Sequence, residues 1–413
     1  MQSLARARIC RPQCYDYPRE YCRFRFLTTS PVSMRQHRLP AAYYRGGTSR
    51  AVFFQPKDLP ADRTQWAPIF LGVIGSPDPW GRQLDGMGGG ISSLSKICVV
   101  GPSSRPDADV DYTFAAIGVK DADVDLSSNC GNMTSAVGPF AVDAKIFVPV
   151  DDANQTEPET DTDTDIGAET QTVTVRIHNT NTGKVIHSTF DVQDGEAVAG
   201  GAFSIDGVSG TGARIQLDFV NPAGSKTGKL LPTGSVVDVF DGVRATCIDV
   251  GNPCCFVQAA SLDVDGGISP DAIEAHPTLL SRLDSIRRQA GVKMGLAPTA
   301  ADVPGSVPKI CLVSPAVEDS AAMDLRVRAI SVGQPHKAVP ITVALACAAA
   351  SKLAGSTVRE CCSDHPVDPA GVTLGHASGR LMVGAQYDED GELRSATVFR
   401  TARRLMEGVV YWK

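Results

Sequence analysis

Short apolar runs broken by glycine-rich turns constrain this chain more than any other feature. Between Ala41 and Val150 they include Ala51-Val52-Phe53-Phe54, Ile97-Cys98-Val99-Val100 and Tyr112-Thr113-Phe114-Ala115-Ala116-Ile117. Runs of that length bounded by turn residues read as strands, with helical stretches between them. A second block starts near Gly234 with Ser235-Val236-Val237-Asp238-Val239-Phe240. A helical pattern over Ser269–Ala290 follows, opened by the cap and first-turn signals Ser269-Pro270-Asp271. Then come a strand at Lys309–Val313, a helix from about Val339 to Leu353, and strand-like pieces at Leu381–Gly384 and Ala396–Phe399. The pattern predicts an α+β protein of two similar halves, each with a long buried helix after a small-residue motif. The expected division is a head at 1–37, one domain at 38–233 and another at 234–413, the last strands being free to return to the first domain.

No run of about 18 apolar residues exists, so no membrane-spanning helix is expected, and Ala338–Ala350 reads as a buried helix. With 43% hydrophobic and 21% charged residues, wholesale disorder and coiled coil are excluded. The net charge of −7 argues against nucleic acid as a partner, because no global cationic surface displaces counterions. That charge is unevenly spread. The first forty residues hold eight Arg against only Asp16 and Glu20. Such a head has the composition of a mitochondrial transit peptide, and Arg25-Phe26-Leu27-Thr28-Thr29-Ser30 resembles a trimming site. The competing readings are a basic tail and a translation start at Met34, so matrix and cytosol are both expected locations. Residues 151–171 hold eight acids and no Lys or Arg, which reads as a long solvated loop joining two strands. The twelve Cys are scattered singly or in vicinal pairs, with no C-x-x-C, so neither a disulfide scaffold nor a zinc site is indicated. No metal and no cofactor are expected.

Three segments join glycine to reactive or anion-binding side chains. Arg45-Gly46-Gly47-Thr48-Ser49-Arg50 offers forked donors, hydroxyls and close backbone amides suited to a carboxylate; the bland reading is a polar loop entering a strand. Asp85-Gly86-Met87-Gly88-Gly89-Gly90-Ile91-Ser92-Ser93-Leu94-Ser95-Lys96 fails as a dinucleotide fingerprint, because the strand comes after it and not before. Gly224-Ser225-Lys226-Thr227-Gly228-Lys229-Leu230 nears a phosphate loop but is one residue short, with Leu where a metal needs a hydroxyl. Lys96 can serve as a base if desolvated, or be a solvated surface charge. Ser127-Ser128-Asn129-Cys130-Gly131-Asn132-Met133-Thr134 places a Cys at the start of a helix, where free N–H groups favour anions. The bland reading is an inert buried Cys, and Gly138-Pro139 predicts an early bend. Of the few His, His336 in Gly333-Gln334-Pro335-His336-Lys337 and His376 in Gly375-His376-Ala377-Ser378-Gly379 are candidates for substrate contact.

Taken together these segments resemble the PrpF family of methylaconitate isomerases and fungal aconitate Δ-isomerases. The resemblance runs in order from Tyr44 through Asn129-Cys130-Gly131-Asn132, Gly228-Lys229-Leu230-Leu231-Pro232-Thr233-Gly234, Asp249-Val250-Gly251-Asn252-Pro253 and Met294-Gly295-Leu296 to His376-Ala377-Ser378-Gly379. It departs at Gly90-Ile91, and loosely around Gly333–Lys337. It implies a diaminopimelate-epimerase-like fold: two pseudo-symmetric domains, each a curved sheet around a central helix, with the active site between them. It further implies Lys96 and Cys130 as the catalytic pair, with Arg45, Thr48, Ser49, Met87, Gly88, Ser93, Asn129, Gly131, Asn132, His336, Lys337 and Ser378 binding substrate. The implied reaction is isomerisation of an unsaturated tricarboxylate by allylic proton transfer, without a cofactor. The rival readings are a racemase with paired cysteines and a non-catalytic partner of an aconitase-like dehydratase. A homodimer and coupling to an aconitase-like or citrate-type enzyme are the protein partnerships left open.

Overall fold

The strands of this protein pair into one continuous ribbon, wound around two buried helices. The computed structural model describes residues 35–126, 129–149, 170–316, 322–331, 333–369 and 371–413. The basic head up to Met34 and most of the acidic segment lie outside the described residues.

The first half contains β1 (His37–Gly46), β2 (Ser49–Phe54), α1 (Trp66–Ile74), β3 (Lys96–Pro102), β4 (Val110–Ile117), α2 (Gly131–Asp143), β5 (Thr170–Asn179), β6 (Lys184–Gln193) and β7 (Ile215–Val220). The second contains β8 (Val243–Asp249), β9 (Pro253–Gln258), α3 (Pro270–Ala275), α4 (Leu279–Lys293), β10 (Lys309–Pro315), β11 (Leu325–Ser331), α5 (Ile341–Ser351), β12 (Val372–His376), β13 (Gly379–Tyr387) and β14 (Leu393–Arg400). A last strand, β15 (Ala402–Trp412), follows. The halves repeat one pattern. An antiparallel pair leads through outer helices to a parallel partner, in β2 with β3 and again in β9 with β10. A second crossover through a central helix joins β4 to parallel β5 and β11 to parallel β12. Strand β14 pairs with β7, linking the halves, and β15 pairs with β1.

Period-two alternation separates the layers. On β1, Ala42 and Tyr44 join the core around α2, while Ala41 and Tyr43 join a separate core under α1. On β10, Cys311 and Val313 face the central core, whereas Ile310 and Leu312 pack with α4. Helix α5, Ile-Thr-Val-Ala-Leu-Ala-Cys-Ala-Ala-Ala-Ser, is apolar almost all round and is buried along nearly its whole length. Its run of Ala lets the sheet close around it.

Three elements differ from the expectation. Helix α2 continues past Pro139 to Asp143, because the expected bend is absorbed in a fully packed site. Ile146–Pro149 is not a strand: Ile146 and Phe147 donate their amides to Ala141 O, closing the end of α2. The helical pattern at 269–290 is interrupted, since His276 Nδ1 accepts the amides of Thr278 and Leu279 and caps α4 separately from α3.

Candidate active site

The two central helices begin at the same place. Cys130 is the N-cap of α2, in extended conformation and with its side chain not used for capping; Pro340 holds that position on α5. A Cβ on Gly131 would lie 2.8 Å from Ile341 Cδ1, so the two first turns are in contact. Neither first turn carries an acid. Two sets of helix-start amides, each at the positive end of a helix dipole, therefore converge where an anion is favoured.

Lys96 opens β3 with its side chain on the α2 face, alternating with Ile97, which faces α1. It is only 8% exposed, and its Nζ lies 5.0 Å from the centroid of Phe114. It forms no ion pair among the described residues. Lys96 and Cys130 both flank the buried Cys98. Burial pushes that thiol well up, Cys130 adds to the rise, and the Tyr112 hydroxyl and Lys96 oppose it. Cys98 is a buried thiol, with Lys96 two residues before it on the same strand and Cys130 packed against the same core.

The glycine-rich segment leads directly into Lys96. Gln83, 1% exposed and with φ of 52°, is its hub. Its Oε1 accepts from Gly90 N at 2.9 Å and Ser95 Oγ at 2.7 Å, and its Nε2 donates to Ser76 Oγ at 2.8 Å. Met87 and Gly88 donate their amides to Val73 O and Ile74 O, stitching the loop to the end of α1. Ser93 is half-buried in the single turn Ser92–Leu94 that leads into Lys96.

The Arg45–Arg50 hairpin packs on the other side of α2. Gly47, at φ of 50°, accepts no side chain, because a Cβ there would collide with Asn132 Oδ1. That approach lets Asn132 Nδ2 donate to Thr48 Oγ1 at 3.1 Å. Ser49 is buried at the start of β2, and Thr48 is exposed. Asn129 Oδ1 accepts from Thr134 Oγ1 at 3.1 Å, which orients its amide. The guanidinium of Arg45 is engaged by carbonyls, donating to Gly47 O at 3.0 Å and Thr401 O at 2.9 Å. Arg45 thus clamps the hairpin.

In the second half, His336, Lys337 and Ser378 form a separate group. Ser378 N donates to Lys337 O at 3.0 Å and to His376 Nδ1 at 3.2 Å, tying the two loops together. Burial lowers the His376 pKa; Asp206 opposes the shift, and Arg400 and Arg328 add to it. Arg400 is the residue that sequence reasoning missed. Its Nε donates to Asn132 Oδ1 at 3.2 Å, so it touches the first-half cluster while acting on His376 of the second. The only sequence signal was an Arg ending the apolar run Ala396–Phe399.

Pseudo-symmetry adds a comparison. Lys96-Ile97-Cys98-Val99-Val100 opens β3, and Lys309-Ile310-Cys311-Leu312-Val313 opens β10. A Cβ on Gly251 would lie 3.5 Å from Thr342 Cγ2, as Gly47 approaches Asn132 in the first half. Pro340, however, stands where Cys130 would repeat, and Cys347 is buried inside α5. No thiol therefore faces Cys130 from the start of α5.

The near-phosphate loop holds an anion of the chain itself. Asp249, fully buried, accepts from Ser225 Oγ, Lys226 N, Thr227 N and Thr227 Oγ1 at 2.6–2.9 Å. Among the described residues, no group of three or more His, Cys, Asp or Glu is placed to hold a metal ion, and no helix is long and apolar enough to cross a membrane.

A 3-methylitaconate isomerase of Eubacterium barkeri is 38% identical over 91% of this chain and 97% of its own length. A 2-methyl-aconitate isomerase of Cupriavidus necator is 36% identical over 91% of this chain and 97% of its own. A (4E)-oxalomesaconate Delta-isomerase of Novosphingobium sp. (strain KA1) is 35% identical over 90% and 97%. The crystal structure of a methylitaconate-delta-isomerase superposes with a TM-score of 0.79 at 36% identity, covering 91% of this chain and 96% of that one. The family model described as PrpF protein matches residues 36–413. The two-half fold, the motifs in their order and these relatives agree, and the chain belongs to the PrpF family of isomerases.

Proposed function

We propose that this isomerase moves a carbon–carbon double bond within an unsaturated tricarboxylate or alkyl-substituted dicarboxylate, taking an allylic proton and returning one at another carbon. Lys96 and Cys130 are the acid–base pair. The observation that supports this reading best is a buried lysine without an ion-pair partner on the face of the sheet that meets a thiol at a helix start. Loss of the proton leaves an electron pair delocalised over the allyl system and into the adjoining carboxylate. Protonation at the far carbon restores the charge, so no electron acceptor enters the balance. Negative charge grows on the carboxylate oxygens in between. The first-turn amides of α2 and α5, with the Asn132 amide and the Ser49 and Thr48 hydroxyls, are the donors for it. Unsaturated polycarboxylates are what the names of the three relatives share. Rotation within the same carbanion converts cis to trans, so migration and cis–trans conversion need the same residues.

The test is to incubate the protein in D₂O with cis-aconitate, 2-methyl-aconitate and 3-methylitaconate, following products by NMR. The expected result is isomerisation of at least one acid, with deuterium at the newly protonated carbon. Lys96→Ala and Cys130→Ala should each lower turnover by roughly 10²- to 10⁴-fold with unchanged circular dichroism. Inertness toward all three acids, or full turnover in Lys96→Ala, overturns the reading.

A further inference from the structure

Three arginines are buried among the described residues: Arg287, Arg328 and Arg400. Two are fully engaged. Arg287 pairs with Asp284 and donates to Pro304 O and Val307 O. Arg328 donates to the carbonyls of Gly267, Ile268, Val327 and Gly375. Arg400, also 8% exposed, makes only two bonds, from Nε to Asn132 Oδ1 and from Nη1 to Phe399 O at 3.0 Å. A guanidinium has five N–H donors, so both hydrogens of Nη2 and one of Nη1 have no acceptor among the described residues. No carboxylate pairs with it among the described residues. Burial pulls its pKa down to about 10, and its unbonded Nη2 is not one of the fully buried unpartnered atoms, so that edge of the guanidinium is reachable. Its neighbours are those of a binding site. Asn132 is the second residue of α2, the Arg400 side chain lies beside Gly47, and His376 comes from the opposite half.

We propose that Arg400 is the anchor for one carboxylate of the substrate, gripping it beside Asn132 at the start of α2. Arg400 supplies a forked pair of donors on its open edge, which matches the two oxygens of a carboxylate. Arg45 spends both hydrogens of Nη1 on the carbonyls of Gly47 and Thr401, whereas Arg400 is the more buried of the two and is bonded directly to Asn132. The anchored carboxylate lies beside the helix-start amides that hold the reacting end, so the site selects acids with at least two carboxylates. The inference rests on the polycarboxylate reading above, and its test includes a readout that needs no turnover.

Binding of propane-1,2,3-tricarboxylate, a saturated acid that cannot isomerise, would be measured by calorimetry on wild type, Arg400→Met and Arg400→Lys, beside KM for the active acid and the melting temperature of each unliganded protein. The expected result is affinity about 100-fold weaker and KM raised to match in Arg400→Met, with partial recovery in Arg400→Lys. The unliganded melting temperature should hold or rise in Arg400→Met, because an uncompensated buried charge has gone. Affinity and KM within threefold of wild type in both variants would overturn the assignment. So would losses in both that follow a fall in unliganded melting temperature, which would make Arg400 a structural clasp on Phe399 and Asn132. If the wild type isomerises its acid and Arg400→Met keeps the KM, this inference alone falls. A wild type that neither binds the probe nor turns over any of the acids sinks the functional reading, and this inference with it.

Discussion

Asp249 illustrates how single residues divide between holding the site and being the site. The loop after Gly224 has the amides and hydroxyls of an anion cradle, yet all four donors converge on the chain's own carboxylate. Asp249→Asn would replace one acceptor oxygen by an amide that faces donors. The expected cost is about 2–3 kcal/mol, read as a lowered midpoint in denaturant unfolding, since bonds to a buried charge contribute most when lost one-sidedly. Lys96 is the contrasting case, because no carboxylate pairs with it among the described residues and its Nζ stands over the face of Phe114. Lys96 and Cys130 stood out as candidates because each sits at the end of a Gly- or Asn-containing turn, but their pairing came from the resemblance to the family and from no local signal. Arg400 was illegible because its meaning lies in Asn132, 268 positions away.

At the scale of elements, the site depends on glycines that let backbones touch. Gly47→Ala would drive a methyl group into Asn132 Oδ1 and impose a left-handed φ on a residue that resists it. The predicted outcome is a loss of about 1–3 kcal/mol in stability. Turnover should fall further than that loss explains, because Asn132 would swing away from both Thr48 and Arg400; kinetics at a temperature where the variant is fully folded would measure it. Helix positions were partly readable. The apolar run of α5 announced a buried helix, and Ser269-Pro270-Asp271 announced the start of α3. The separate start of α4 was hidden, because its cap is a ring nitrogen of His276, a residue type with no strong capping signature. The run of α2 past Pro139 was hidden as well, since tertiary packing on every side overrode the local preference. The repeat of Lys-Ile-Cys at the starts of β3 and β10 is too short to stand out until topology aligns the halves.

For the whole molecule, the decisive feature is the return of the last strand to the first. Strand β15 pairs with β1 along nearly its full length, from His37 opposite Trp412 to Gly46 opposite Ala402. Strand β15 is itself the edge, with Arg403, Arg404 and Glu407 along it; removing residues 402–413 would make the more apolar β1 the edge and leave Thr401, which accepts from Gly47 N and Arg45, at a free chain end. The expected outcome is a protein that aggregates on size-exclusion chromatography and has lost isomerase activity, as exposed edges recruit other chains. The same return orders events during synthesis. A nascent chain leaving the ribosome can pair β1 with β2 at once, but the other side of β1 waits until residues 402–412 have emerged. The candidate site joins Arg45 and Asn132 to Thr401 and Arg400, so its two sides meet only after the far strands of the second half have been made.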